Sequence, residues 1–164
     1  MPFEIIQGDI TKLNVDAVVN AANSRLAPGG GVCGAIFSAA GYDRLDKACR
    51  AIGSCATGSA VITDGFDLQA KYIIHAVGPV WQGGSCGEER ILKSAYRCSM
   101  ELAVKYGCCS IAFPLISSGI YGYPKEKAIL DAASAIKAFL EHNKLDVFLV
   151  LFDDQTIELA KKVI

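Results

Sequence analysis

The chain has 164 residues, enough to close one hydrophobic core, and a single domain over 1–164 is expected. Sixteen basic against seventeen acidic side chains leave a net charge of −1 with no basic stripe, so no nucleic-acid partner is expected. No apolar run has the length of a membrane span and Met1-Pro2-Phe3 opens no signal peptide, which sets the expectation of a cytoplasmic protein without a membrane partner. The seven cysteines are irregularly spaced, with no metal-ligand pattern around Cys49/Cys55 or Cys108-Cys109. They read as reduced thiols packed as small apolar side chains, and neither a metal nor a cofactor is expected.

Strand-like apolar runs alternate with helical patterns. The expected strands are 3–6, 16–19, 59–63, 71–76, 110–114 and 147–152, the last apolar throughout as a strand buried on both faces should be. Helices are expected over 34–40, 43–52, 88–106, 124–142 and from 153 to the end. Ala128, Ile129, Ala132, Ala133 and Ile136 keep helical spacing, and Pro124 stands in the first turn, where its missing N–H costs nothing. This alternation predicts a three-layer α/β/α domain around a mixed, largely parallel sheet.

Two segments carry the chemistry. The first is Val18-Val19-Asn20-Ala21-Ala22-Asn23 followed by Gly29-Gly30-Gly31-Val32-Cys33-Gly34. Consecutive glycines let a ligand approach the main chain, and the free N–H groups of a first helical turn favour anions. The second is Leu115-Ile116-Ser117-Ser118-Gly119-Ile120-Tyr121-Gly122-Tyr123-Pro124, after another strand. On its own each reads as a Gly/Pro turn. Together, at the carboxyl ends of strands, they suit a pyrophosphate gripped from both sides.

Gly29-x-Gly31-x-x-Gly34 also matches the dinucleotide-binding pattern. That pattern should follow its strand directly, yet residues 20–28 intervene, and the acidic residue expected about 20 positions on, at the end of the next strand, to hold a ribose hydroxyl has no good candidate. His75, inside an apolar strand, reads as a hydrogen-bonded core histidine rather than a base, and His142 as a surface residue.

Taken in order, Gln7-Gly8-Asp9-Ile10-Thr11, Val19-Asn20-Ala21-Ala22-Asn23, Gly29-Gly30-Gly31-Val32, Ile74-His75-Ala76-Val77-Gly78-Pro79-Val80-Trp81 and Ser117–Pro124 resemble a macro domain of the MacroD-type, ADP-ribose-processing branch. The resemblance runs along essentially the whole chain. It implies that Asp9 accepts the adenine amino group and that the Ile10 N–H meets a ring nitrogen, although Gly-Asp before Thr11 also suits a turn cap. Phe152 packs on the adenine face under this reading, or serves as a core phenylalanine under the plainer one. The backbones of Gly29, Gly30, Gly31 and Val32, and of Ser117, Ser118, Gly119, Ile120 and Tyr121, enclose the diphosphate. Asn23 binds the distal ribose and Tyr121 covers that end, while Asn20 braces the loop.

The chain departs from the branch at one point. MacroD-type enzymes continue Gly-Val-Asp-Gly, with a histidine four residues after the aspartate; here those positions hold Cys33 and Phe37. The carboxylate is the group that orients or deprotonates the attacking water, so the evident general base is missing. Cys33 either replaces it as a thiolate or fills a small side chain's space; a helix N-terminus lowers a thiol's pKa, while a bound diphosphate raises it. Viral macro domains also lack an acid here, and for them the nucleophile is a water held by the ligand's own phosphate. The implied function is binding ADP-ribose and hydrolysing ester-linked ADP-ribose, with ADP-ribosylated Asp/Glu on proteins or O-acetyl-ADP-ribose as substrates and Asn23, with Cys33 in question, as the catalytic candidates. The alternatives are a reader module without turnover and an ADP-ribose 1″-phosphate phosphatase.

Overall fold

The computed structural model describes residues 2–164. Its strands are β1 (Phe3–Gln7), β2 (Ala17–Ala22), β3 (Ala60–Asp64), β4 (Tyr72–Val77), β5 (Ser110–Phe113) and β6 (Asp146–Leu151). The helices are α1 (Gly31–Ala40), α2 (Tyr42–Ile52), α3 (Glu88–Lys105), α4 (Lys125–Leu140) and α5 (Asp154–Val163), with one 3₁₀ turn at Ile10–Lys12. The strands form one sheet in the order β1-β6-β5-β2-β4-β3. All neighbours pair in parallel except β3 with β4, giving the mixed, mostly parallel sheet expected.

Strand periodicity sorts the core into two layers. Side chains alternate across a sheet, so Ala17 and Val19 of β2 join one cluster while Val18 and Ala22 join the other. β4 divides in the same way, Ile74 and Ala76 against Ile73 and Val77. The first layer is closed by Leu92, Tyr96 and Met100 of α3 and by Ala128, Ile129, Ala132 and Ile136 of α4. The second is closed by Ile36 and Phe37 of α1 and Leu45 and Cys49 of α2. Each fully buried Ile, Leu or Phe contributes about 1.5–3 kcal/mol by leaving water.

Chain order creates the crevice. From β2 the chain crosses to the edge strand β3 and comes back inward to β4, beside β2; α3 then carries it across the sheet to β5, on the other side of β2. The loops leaving the carboxyl ends of β2 and β5 therefore diverge, and open parallel sheets bind ligands at such a reversal.

Three boundaries differ from the sequence expectation in ways that affect the site. β2 continues to Ala22, so Asn20 is a strand residue rather than a loop residue, held by full pairing with β4. Helix α1 begins at Gly31 rather than 34, with Gly30 as its cap, so Val32 and Cys33 lie in its first turn. Gly31 itself has φ +56°, a left-handed geometry that disguises a helix start in a sequence reading. The segment 10–12 forms a 3₁₀ turn because Asp9 caps it.

Candidate active site

The cleft between the two glycine-containing loops has a volume of about 510 Å³. One wall is Ala21–Asn23 and Gly29–Cys33, the other Pro114–Tyr121, and the far end is Val150–Asp153 with Thr156. Twelve residues singled out from the sequence meet here: Asn23, Gly29, Gly30, Gly31, Val32, Cys33, Ser117, Ser118, Gly119, Ile120, Tyr121 and Phe152. Asp9 and Ile10 are outside the cleft wall. Asp9 Oδ1 accepts from Thr11 Oγ1 at 2.6 Å and Thr11 N at 2.9 Å, and the Thr11 hydroxyl leads in holding this carboxyl below its ordinary range. Ile10 is buried in the second core layer.

Asn23 is a loop clamp. Its Oδ1 accepts from Ala27 N at 3.0 Å and its Nδ2 donates to Ala27 O at 2.9 Å, closing the turn that leads to the glycines. Leu26, at φ +57° and 2% exposed, anchors that turn in the core. The close approach of α1 to the loop fixes the next glycine. A Cβ on Gly34 would sit 2.7 Å from the Gly29 carbonyl oxygen, so glycine is what lets the first turn of α1 pack this close to the loop.

Cys33 is 7% exposed, with Sγ 3.7 Å from Asn20 Nδ2 and 3.9 Å from the Ala27 carbonyl oxygen. Burial pushes its thiol above the ordinary value, with the Asn20 amide and Gly29 backbone opposing in part. The group is a neutral thiol at physiological pH, which favours the space-filling reading over a thiolate nucleophile. Phe37 is 1% exposed and packs on Tyr42 at 5.8 Å between ring centroids, and no histidine stands among the described residues that line the cleft. His75 is fully buried beneath the site between Asn20 and Thr63, as a core histidine.

The second loop is braced from below. Tyr96 Oη donates to Pro114 O and accepts from Ile116 N, both at 3.1 Å. Trp81 N donates to Tyr121 O at 2.8 Å while the Trp81 ring meets Tyr123 edge-on at 4.8 Å. The Trp81 segment is held in turn by Glu88, whose carboxylate accepts from Gln82 N, Gly84 N and Cys86 N. Those amides, Gln82 first, hold the Glu88 carboxyl down at about 2. Ser117 has φ +68° and a buried hydroxyl without a partner among the described residues. Gly78 must be glycine beneath it, since a Cβ would lie 2.2 Å from that hydroxyl.

Phe152 is 78% exposed and Ile120 is 94% exposed, both in the cleft wall. Phe152 is therefore an apolar surface presented to the cleft, not a core residue. Sequence reasoning missed Gly78, Lys125, Asp153 and Thr156, which also line it. The strand-to-helix junction at 151–154 was the available signal for Asp153, which caps α5 by accepting from Thr156 N and Oγ1 at 2.7 Å each. Lys125 and Asp153 are the only charged residues of the wall among the described residues. The arrangement is suited to an extended ligand with an anionic middle, held by backbone amides, and an apolar ring at the Phe152 end.

Comparison with known proteins agrees with this architecture. The Macro domain family model matches residues 19–131. A macro domain-containing protein of Methanosarcina mazei is 51% identical over 164 residues, covering 99% of this chain and 87% of that protein. A protein of Salmonella gallinarum named O-acetyl-ADP-ribose deacetylase is 47% identical over 168 residues, covering 99% of this chain and 93% of its own. Among solved structures, a variant of the Oceanobacillus iheyensis macrodomain with ADPR superposes with a TM-score of 0.94 at 40% identity, covering 98% of this chain and 90% of that one. The chain belongs to the macro domain family.

Proposed function

We propose that this protein binds ADP-ribose in the cleft and hydrolyses ester-linked ADP-ribose, carried on Asp or Glu side chains of proteins or as O-acetyl-ADP-ribose. The observation that carries the reading is the pairing of two opposed backbone-lined loops with the exposed Phe152 ring at one end of the same cleft. The diphosphate lies between Gly29–Val32 and Ser117–Tyr121, with adenine on Phe152 and the distal ribose toward Asn23 and Tyr121. The names of similar proteins as O-acetyl-ADP-ribose deacetylase support the hydrolase class.

The first-loop end of the cleft offers no carboxylate or imidazole as general base; Asp153 lies at the Phe152 end and is engaged in capping α5. Catalysis accordingly rests on positioning: a water held by the ligand's phosphate and the loop amides adds to the ester carbonyl, the adduct breaks its bond to the ribose oxygen, that oxygen takes a proton from the water to restore the hydroxyl, and the acyl group is freed as a carboxylic acid that ionises. For an Asp or Glu ester on the anomeric carbon, the same water can attack that carbon instead and expel the carboxylate, which needs no strong base. Turnover is slower than in relatives with an acid at the position of Cys33.

A second reading, an ADP-ribose reader without turnover, is favoured by the neutral Cys33 thiol and the buried Phe37. Calorimetric titration with ADP-ribose, followed by acetate release from O-acetyl-ADP-ribose, separates the two. Binding with release supports hydrolysis, binding alone supports the reader, and absence of binding contradicts both.

A further inference from the structure

Four ionisable side chains behind the cleft form a chain that ends at the second loop: Glu89, Lys127, Asp131 and Tyr123. Tyr123 is buried just after that loop, and its N–H donates to Ser117 O at 2.9 Å. Its Oη donates to Asp131 Oδ2 at 2.5 Å. Asp131, 6% exposed, shares a face of α4 with the buried Ala128 and Ala135. Lys127 Nζ lies 3.2 Å from the same Oδ2 and 2.5 Å from Glu89 Oε1. Glu89 follows Glu88 at the start of α3, and Glu88 holds the segment whose Trp81 N–H bonds Tyr121 O. The second loop is thus tied to the start of α3 twice, once through Trp81 and once through Tyr123, Asp131 and Lys127. Packing alone does not account for the carboxylate in this chain. A buried charge is costly to desolvate, and an apolar pair of similar shape is often as stable or more so. What the carboxylate adds is direction, because a charge-assisted hydrogen bond is short and fixes its donor in place. Burial first, and then the bond to Asp131, push the Tyr123 hydroxyl up, so it stays protonated and donates.

We infer that Asp131 is a positioning residue for the second loop: held by Lys127, its carboxylate fixes Tyr123 and so sets the backbone of Ser117–Tyr121 against the ligand's diphosphate. The inference rests on ADP-ribose occupying the cleft as proposed above. None of Tyr123, Asp131, Lys127 and Glu89 lines the cleft, so the effect is carried by loop geometry and not by contact with the ligand.

The test is calorimetric titration with ADP-ribose, beside urea unfolding, of the wild type, Tyr123→Phe, Asp131→Leu and the Tyr123→Phe/Asp131→Leu double variant. Each single substitution should weaken binding about fivefold, because the loop backbone is no longer held in place. The double variant should bind about as weakly as either single one, since the same hydrogen bond is lost in all three. It replaces both partners by apolar groups, so it should unfold at about the wild-type urea concentration while still binding weakly. That split between affinity and stability is what a merely structural role would not give. If a single variant fails to fold, the double one, which strands no buried polar group, carries the test. Wild-type affinity in the double variant overturns the inference, and so does affinity that falls only in step with stability across the set. Absence of ADP-ribose binding by the wild type overturns the reading of the cleft and the inference with it.

Discussion

Asn20 and His75 are register partners on the adjacent parallel strands β2 and β4, and their side chains meet, with Asn20 Nδ2 3.1 Å from His75 Nδ1. With Asn20 donating, the ring proton sits on Nε2 and points to Thr63 Oγ1 at 3.0 Å, while the Thr63 hydroxyl donates to Asp64 O at 3.2 Å. The same Asn20 amide approaches the Cys33 thiol. A buried polar chain therefore links the edge strand β3 to the first turn of α1, directly under the cleft. In low dielectric, removing one member leaves the next unsatisfied.

His75→Phe should destabilise the fold by about 1–3 kcal/mol, the cost of stranding the Asn20 amide, measured by urea unfolding. Burial holds the ring at about 4, below its ordinary 6.5. The neutral ring is thus favoured in the fold, and its contribution is complete above pH 6.5. As pH falls from 6.5 to 4 the unfolded chain takes up a proton that the native state refuses, so stability is lost across that window, by about 3 kcal/mol in all. His75→Phe should flatten that part of the stability–pH curve; an unchanged slope would exclude His75 as its source.

Phe152→Ala should weaken ADP-ribose binding by about tenfold through loss of ring stacking. Because the ring is 78% exposed, the unfolding midpoint should stay within about 0.5 kcal/mol of wild type. Fluorescence or calorimetric titration beside urea melts checks both halves. A stability loss larger than the binding loss would make Phe152 a structural residue.

Much of this was legible in the sequence, for a physical reason. Apolar alternation in β2, β4 and β6 and helical spacing in α4 are local signals, and they place the two loops at the same sheet edge. Roles set by distant contacts were not legible. The amide of Asn23, expected as a ligand contact, also bonds both backbone groups of Ala27 and so braces the loop as Asn20 does from below. The environment of Cys33 depends on Asn20, thirteen residues earlier. Lys125 reaches the cleft only because α4 starts beside α5. The positive φ of Leu26 and Ser117 has no compositional cue, since neither is a glycine.

Gly34→Ala tests the packing of α1 on the first loop. The added Cβ would stand 2.7 Å from the Gly29 carbonyl oxygen, a backbone atom that cannot rotate aside. The loop must shift, and ADP-ribose affinity should fall at least about tenfold while the fold is retained, since loop amides must be placed within fractions of an ångström. Titration together with circular dichroism reads this; wild-type affinity would show that the loop has slack.

Tyr96→Phe removes the hydroxyl that joins Pro114 O to Ile116 N beneath the second loop. Leaving two buried backbone groups unpaired should cost about 1–3 kcal/mol in thermal or urea unfolding. Hydrogen exchange at Ile116 should accelerate in the same variant. Unaltered protection there would mean that the Tyr96 hydroxyl does not hold the loop.

The proposed hydrolysis requires that a macro domain with Cys33 at the motif position turn over its ligand by positioning a water. Single-turnover hydrolysis of a Glu-linked mono-ADP-ribosylated protein, comparing the wild type with Asn23→Ala and Cys33→Asp, tests it most directly. The wild type should release ADP-ribose slowly, Asn23→Ala should lose release as the loop clamp opens, and Cys33→Asp should release it faster. A wild type that binds ADP-ribose but releases none, with activity appearing only in Cys33→Asp, would contradict it and leave the natural protein a reader.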